Sequence, residues 1–160
     1  MTDDRRITAG GGWATRRPQH IRVPALQRGL AAATAAALGV DAYVHLRDAA
    51  LYETVRTSAL SQATLFRAQA VAAVVVAIAL LIRPRPAVWA IAAVVAGSAA
   101  AAVLLYTNVD VGTLGPLPDM YEPTWALPGK LTSAVAEVAG TVLALAGFVL
   151  SLATRSRHDR

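Results

Sequence analysis

Four long runs of apolar residues divide the chain, at positions 26–46, 63–82, 87–106 and 131–153. A helix that crosses the hydrocarbon core of a bilayer needs about 20 predominantly apolar residues, so each run is long enough to span it once. The second and third runs are joined by the sequence RPRP at 83–86. Prolines end a helix and arginines avoid hydrocarbon, which indicates a tight turn at the membrane surface. The pattern predicts an all-α integral membrane four-helix bundle with up-down-up-down topology.

The composition agrees with a protein embedded in lipid. The chain is 56% hydrophobic and only 16% charged, with a mean hydropathy of +0.48. Soluble domains contain about 25% charged residues. The chain has no cysteine, which excludes a disulfide framework, thiolate metal sites and thiol–disulfide redox chemistry.

The distribution of Lys and Arg predicts how the bundle is oriented. Segments on the cytoplasmic side of a membrane carry an excess of these residues. We therefore expect a multi-pass protein of the plasma (inner) membrane with both termini in the cytoplasm. The segments at 47–62 and 105–130 would then lie outside. Eleven basic residues belong to the expected cytoplasmic side, Arg5, Arg6, Arg16, Arg17, Arg22, Arg28, Arg83, Arg85, Arg155, Arg157 and Arg160, and four to the other, Arg47, Arg56, Arg67 and Lys130.

The net charge of +5 does not indicate a nucleic-acid partner, because most arginines lie in tails and turns beside apolar segments. Residues 1–25, with three glycines at 10–12, are expected to form a disordered cytoplasmic tail. Residues 26–153 form the predicted transmembrane domain, and 154–160 a second cytoplasmic tail. A cleaved signal peptide is the alternative for the start of the chain. We favour a retained helix, because the first apolar run is long and nothing after it is typical of a soluble protein.

Small residues are frequent in the predicted helices, including the pair Ala136 and Gly140 and, further on, Gly147. Helices in lipid associate through close approach of small residues. This signal is weak here, because alanine is so common that such pairs arise by chance.

Between the first two helices, we expect the first helix to extend past the membrane and then turn near 57–61. Ser61 would then cap the second helix.

Five polar residues lie inside the predicted spans and form a predicted intramembrane polar cluster. Asp41 and His45 are four residues apart and therefore share one face of the first helix. Unpaired charges at membrane depth cost several kcal/mol. We therefore expect Arg67 to pair with Asp41, Glu137 or both. The members of the cluster are Asp41, His45, Arg67, Gln69 and Glu137.

This cluster has several interpretations. The simplest is a structural one, in which one arginine and two carboxylates hold the helices together; a proton-coupled role for Asp41 or Glu137 is the alternative. One histidine with two carboxylates makes a poor transition-metal site. Haem would need two intramembrane histidines, whereas His20 and His158 lie in the tails. We therefore predict no metal and no cofactor, and no catalytic residue is assigned.

The segment from 105 to 130, here called the long loop, is too long and too distinctive for a simple connector. Four prolines restrict its backbone, and its apolar and aromatic side chains favour an ordered cap at the membrane surface. Its acidic side chains would face outwards or close over Arg67. We expect either a rigid anchor or a recognition surface, formed by Asp110, Pro116, Pro118, Asp119, Met120, Tyr121, Glu122 and Trp125.

The sequence VDVGTLGPLPDMYEPTW at 109–125 follows a span that ends in tyrosine and precedes a lysine and a fourth span with Ala-Glu. In these features the chain resembles a group of small four-span actinobacterial integral membrane proteins. The resemblance covers roughly residues 43–148 and is most specific at 115–125. It implies the four-span fold and a membrane location, and it implies no activity and no cofactor.

Three classes of function remain open. The chain is expected to be a non-catalytic accessory or assembly subunit, which binds another membrane protein through its outer cap or associates with copies of itself in the lipid bilayer. The second class is a small proton-coupled transporter or carrier that uses Asp41, Arg67 and Glu137. The third is a membrane enzyme that acts on a lipid or quinone, with His45 as the acid–base group.

Overall fold

A computed structural model of the chain describes residues 22–158, and nothing in that part of the chain is a β-strand. Four helices form it: α1 (Arg22–Asp48), α2 (Gln62–Ile82), α3 (Pro86–Asn108) and α4 (Lys130–His158). Each is long and apolar enough to cross a membrane. For the described residues, this confirms the prediction of an all-helical chain with four helices of the length and composition needed to cross a membrane.

The ends of the helices differ from the sequence-based bounds. Positions 1–21 of the predicted disordered tail (1–25) lie outside the described residues. The rest of that predicted tail is helical, because α1 already begins at Arg22. At the other end α4 continues to His158, so most of the predicted second tail is helical. Arginines and a proline at these ends are compatible with helix, because the first turn of a helix accepts proline and arginine is a good helix former.

Local signals explain where the middle helices begin and end. Ser61 caps α2 as predicted, with its hydroxyl oxygen accepting a hydrogen bond from the backbone N–H of Thr64 at 3.1 Å. Pro86 stands in the first turn of α3, where no backbone donor is needed. The turn at 83–85 between the two helices is short, as the two prolines require. The connection after α1 starts with a 3₁₀ helix, Ala49–Tyr52, instead of a longer α1.

The interior of the bundle is built mainly from alanine. α1 packs against α2 and α4, and α3 packs against α4, whereas α2 and α3 lie less closely together. Small side chains at the contacts allow helix backbones to approach each other, which is what holds helices together in lipid. The buried alanines of this core are Ala31, Ala35, Ala42, Ala70, Ala73, Ala77, Ala92, Ala96 and Ala144.

Gly147 of α4 makes the closest of these approaches, because the fully buried ring of Trp89 in α3 lies directly on its backbone. A Cβ atom at Gly147 would lie 2.6 Å from Cδ2 of Trp89, far inside van der Waals contact. At Gly140 a Cβ atom would meet Ala96 and Ala37 at 3.4 and 3.5 Å, which an alanine can nearly tolerate. Glycine is therefore required at Gly147, whereas alanine would fit at Gly140.

The long loop, 109–129 in the structure, packs onto the α1–α2 connection. Thr57 donates a hydrogen bond to the carbonyl of Pro116 at 2.8 Å, and Tyr52 donates one to Oε2 of Glu122 at 3.1 Å. Gly129, with φ of +86°, allows the chain to enter α4 against Arg47 and Asp48. These contacts define the loop end of the bundle, where the end of α1, the start of α2 and the long loop meet.

Gly147→Ala should destabilise the bundle by about 1–3 kcal/mol, the usual cost of an extra methyl group in a filled interior. The measurement is thermal unfolding of the purified protein in detergent micelles. Gly39→Ala is the matched control, because the position is helical and open, with no atom of the described residues within 4 Å of the new Cβ. Equal melting temperatures for the two variants would contradict the close Trp89–Gly147 packing.

Candidate functional site

A buried polar network ties three helices together near the loop end. α1 contributes Asp41 and His45, α2 contributes Gln69, and α4 contributes Ser133 and Glu137. The side chains of Asp41 and Glu137 are only 1% and 2% exposed. Their positions follow from helix periodicity, because residues four apart lie on one face, as Asp41 and His45 do in α1 and Ser133 and Glu137 do in α4.

Asp41 is the centre of this network and has a donor from each of the three helices. Gln69 donates to its Oδ2 at 3.0 Å, and Ser133 lies within hydrogen-bonding distance of its Oδ1 at 3.2 Å. Nδ1 of His45 is 2.8 Å from the same Oδ1 and 3.0 Å from the backbone carbonyl of Asp41. A buried carboxylate is tolerated only when such donors replace water, so Asp41 is well compensated.

His45 is held in one orientation by these contacts. Because Nδ1 faces acceptor atoms of Asp41, the hydrogen of a neutral ring resides on Nδ1, and Nε2 keeps its lone pair. Nε2 lies 4.0 Å from Oε1 of Glu137. The ring packs edge-on against Phe66 of α2, with 4.7 Å between centroids.

Ser133, His45 and Asp41 do not form a nucleophilic triad. In such a triad the serine contacts one ring nitrogen and the carboxylate the other. Here Oγ of Ser133 lies 3.5 Å from Nδ1, the same nitrogen that Asp41 occupies. His45 therefore cannot take a proton from Ser133 through Nε2 in this arrangement.

Glu137 is the incompletely satisfied member of the network. Its Oε1 is 2.8 Å from the hydroxyl of Ser133, but its Oε2 is buried and has no hydrogen-bond partner among residues 22–158. The single hydroxyl hydrogen of Ser133 can reach only one of the two carboxylates at a time. A buried acceptor without a donor is costly, so this atom marks a position where a ligand or a proton would be stabilised.

Arg67 is not part of this network, which corrects the predicted pairing with Asp41 or Glu137. It is half exposed and forms an ion pair with Glu53 of the α1–α2 connection, with 2.5 Å between Nη2 and Oε1. The reason is geometric. Arg67 and Gln69 are two residues apart, about 200° around a helix, so they point in nearly opposite directions. Because Gln69 faces the bundle, Arg67 must face away from it.

A cavity of about 450 Å³ lies beside the network, between α2 and α3 and beneath the long loop. His45, Gln69 and Glu137 line its inner end, and Tyr52, Phe66 and Tyr106 form aromatic walls. Three residues of the cavity wall on α2 and α3 are exposed: Ala68, Ser98 and Ala102. The cavity is therefore accessible between these two loosely packed helices.

Only part of the predicted recognition surface of the long loop lies at this cavity. Met120 and Glu122 line the cavity, and Pro118 is buried. The acidic side chains do not reach Arg67: Asp110 and Asp119 accept hydrogen bonds from backbone N–H groups two residues on. The remaining predicted recognition residues are exposed on the surface, and they are Asp110, Pro116, Asp119, Tyr121 and Trp125.

Lys130 closes the top of the cavity. Its ammonium group donates to the carbonyl oxygens of Glu122 and, at 2.9 Å, of Thr124, and lies 5.4 Å from the ring centroid of Trp125.

Sequence reasoning missed Lys130, Tyr52, Phe66 and Ser133. Only Ser133 has a local signal, its position four residues before Glu137; the others meet the site through contacts that are distant in sequence.

Asp41, His45 and Glu137 could each offer one ligand atom to a metal ion, with these atoms within 4.8 Å of one another. Donor atoms that share a tetrahedral zinc ion are about 3.3 Å apart, given bond lengths near 2.0–2.1 Å. Oδ1 of Asp41 and Nδ1 of His45 are 2.8 Å apart and share a hydrogen. The arrangement therefore fits a hydrogen-bonded network better than a metal centre.

No protein family, curated protein or solved structure was found to match this chain. The resemblance to small actinobacterial four-span proteins therefore stays a prediction. Function has to be inferred from the geometry of the network and the cavity.

Gln69→Leu should lower the free energy of unfolding by about 1–3 kcal/mol, because it leaves Oδ2 of Asp41 buried without its amide donor. Arg67→Ala, two residues away in α2, removes an exposed ion pair and should cost less than about 1 kcal/mol. Thermal unfolding in detergent compares the two variants. A larger loss for Arg67→Ala would restore the predicted role of this arginine inside the bundle.

Proposed function

We propose that this protein binds a small amphipathic molecule, taken from the outer leaflet of the cell membrane, in the cavity beneath the long loop. The observation that carries the proposal is the buried Oε2 of Glu137, which has no hydrogen-bond partner among residues 22–158 and lies at the inner end of an accessible cavity. A pocket with mostly apolar walls and a few polar groups is the usual form of a small-molecule site, and 450 Å³ lies in the common range of about 300–1,000 Å³.

The proposed orientation is an up-down-up-down bundle with both termini in the cytoplasm. The excess of arginine in the tails and in the 83–85 turn supports it. The loop end, and with it the cavity, then faces the outside. The gap between α2 and α3 would admit a ligand sideways from the lipid, with its apolar part against the aromatic walls and its polar part next to Glu137.

The same observations favour binding over catalysis and over recognition by the long loop alone. Ser133 and His45 are not arranged as a nucleophile and base, because Ser133 and Asp41 both contact the same ring nitrogen of His45, Nδ1. The polar groups of the loop are largely used within the chain: Asp110 and Asp119 cap turns and Glu122 accepts from Tyr52. Binding of a partner protein or a second copy through the outer cap stays a prediction.

The orientation can be tested with single cysteines, since the chain has none of its own. Thr113→Cys in the long loop should react with a membrane-impermeant maleimide in intact cells. Ser156→Cys near the end of α4 should react only after the membrane is permeabilised. Both positions are exposed, so reversed labelling would overturn the proposed orientation and not merely report a buried thiol.

The binding proposal can be tested by filling the cavity. Protein extracted from its native membranes in mild detergent should carry a non-covalently bound small molecule, detected by native mass spectrometry. Ala102→Phe places a ring in the cavity wall and should remove this adduct. Ala101→Phe is the matched control, because Ala101 is equally exposed on α3 but does not line the cavity. An adduct that survives Ala102→Phe, or an absence of adduct in the unaltered protein, would argue against the proposal.

A further inference from the structure

We propose that the ligand of this cavity is a lipophilic amine in its protonated form, with an N–H group donating to Oε2 of Glu137. This inference rests on the proposed binding function and specifies the chemical class of the ligand. It follows from the charges around the cavity, from the hydrogen-bond donors available to each carboxylate, and from the nature of the walls.

The charges around the cavity do not balance. Four carboxylates lie in or next to it, and two of them have a basic partner. Asp48 pairs with Arg47 at 2.6 Å, and Oε2 of Glu122 lies 3.9 Å from the ammonium group of Lys130. The other two, Asp41 and Glu137, share only His45, which can carry at most one positive charge. With both carboxylates ionised, the described part of the site retains an excess negative charge.

The excess charge belongs to Glu137 and not to Asp41. Asp41 has His45 at 2.8 Å and Gln69 at 3.0 Å as donors, in addition to Ser133. Among the described residues, the only donor to Glu137 is the shared hydroxyl of Ser133, and the ring nitrogen of His45 nearest to it is 4.0 Å away. A carboxylate that stays ionised in this position requires a positive charge or a hydrogen-bond donor. An ammonium group supplies both at once, whereas an alcohol supplies only the donor and a carboxylate supplies neither.

The walls of the cavity also favour a cation. Phe66 packs against Tyr52 with 5.0 Å between ring centroids, and Tyr106 lines the cavity from α3. The faces of aromatic rings attract cations, most strongly where water is excluded. The rest of the lining is largely aliphatic, which suits an aryl or alkyl body on the amine. Lys130, which also lines the cavity, is already engaged by the carbonyls of Glu122 and Thr124 and is the partner of the Glu122 carboxylate, so it does not supply the missing charge.

The experiment compares three probes of the same size that differ only in the head group: 4-phenylbutylamine, 4-phenylbutanol and 4-phenylbutanoate. Binding to the full-length protein in phosphatidylcholine nanodiscs is measured by calorimetric titration, with empty nanodiscs as the blank. We expect the amine to bind about tenfold or more tighter than the alcohol, and the carboxylate to bind weakest. This comparison needs no variant, so it stands even if substitutions in the network impair folding.

Two substitutions then locate the effect. Glu137→Gln should abolish the preference for the amine over the alcohol, while Glu53→Gln, which removes an exposed carboxylate away from the cavity, should leave it unchanged. Equal binding of amine and alcohol, blocked by Ala102→Phe, would overturn the inference about the cation and leave the proposed binding site intact. Binding of all three probes that is insensitive to Ala102→Phe, or no binding at all, would overturn the site itself.

Discussion

The burial of Asp41 is the constraint on which the arrangement of the bundle depends. A carboxylate that is 1% exposed inside an apolar bundle has no access to water, so every oxygen must find its donor in the protein. Those donors come from α1, α2 and α4 together, through His45, Gln69 and Ser133. The hydrogen bonds therefore set the rotation of three helices about their axes. This matters because apolar side chains alone provide little preference for one rotation over another when lipid is equally apolar.

The small side chains elsewhere in the bundle act together with the buried polar network in holding the helices together. Alanine contacts let the helices approach closely, and Gly147 accepts the ring of Trp89 on its backbone. Close packing extends through α1–α2, α1–α4 and α3–α4, but α2 and α3 remain less closely packed. The cavity lies in this gap at the loop end, and the long loop covers it, with Glu122 of the loop held by Lys130 at the start of α4. The network, the gap and the loop thus form one structural unit, and Oε2 of Glu137 is the atom of the network that no donor in the described part of the chain satisfies.

Several features of the chain are determined by the sequence alone. The four spans follow from the length of the apolar runs, the tight turn from the prolines at 84 and 86, and the start of α2 from the capping hydroxyl of Ser61. The pairing of Asp41 with His45 also follows, because it depends only on a spacing of four residues in one helix. Each of these is decided by chemistry within about one or two helical turns.

The tertiary structure decided the rest, since it depends on contacts between residues far apart in the chain. Arg67 faces Glu53 and not the buried carboxylates, because the helix that brings Gln69 to Asp41 turns Arg67 away. Tyr52 and Glu122 meet across a sequence separation of 70 residues, and Ser133 reaches Asp41 across 92. No local pattern encodes such pairs, because the rotation of each helix is chosen by all of its partners at once. The sequence alone therefore showed which polar residues lie within the apolar runs, whereas only the packing of the helices decided that, among the described residues, Oε2 of Glu137 has no partner beside a cavity.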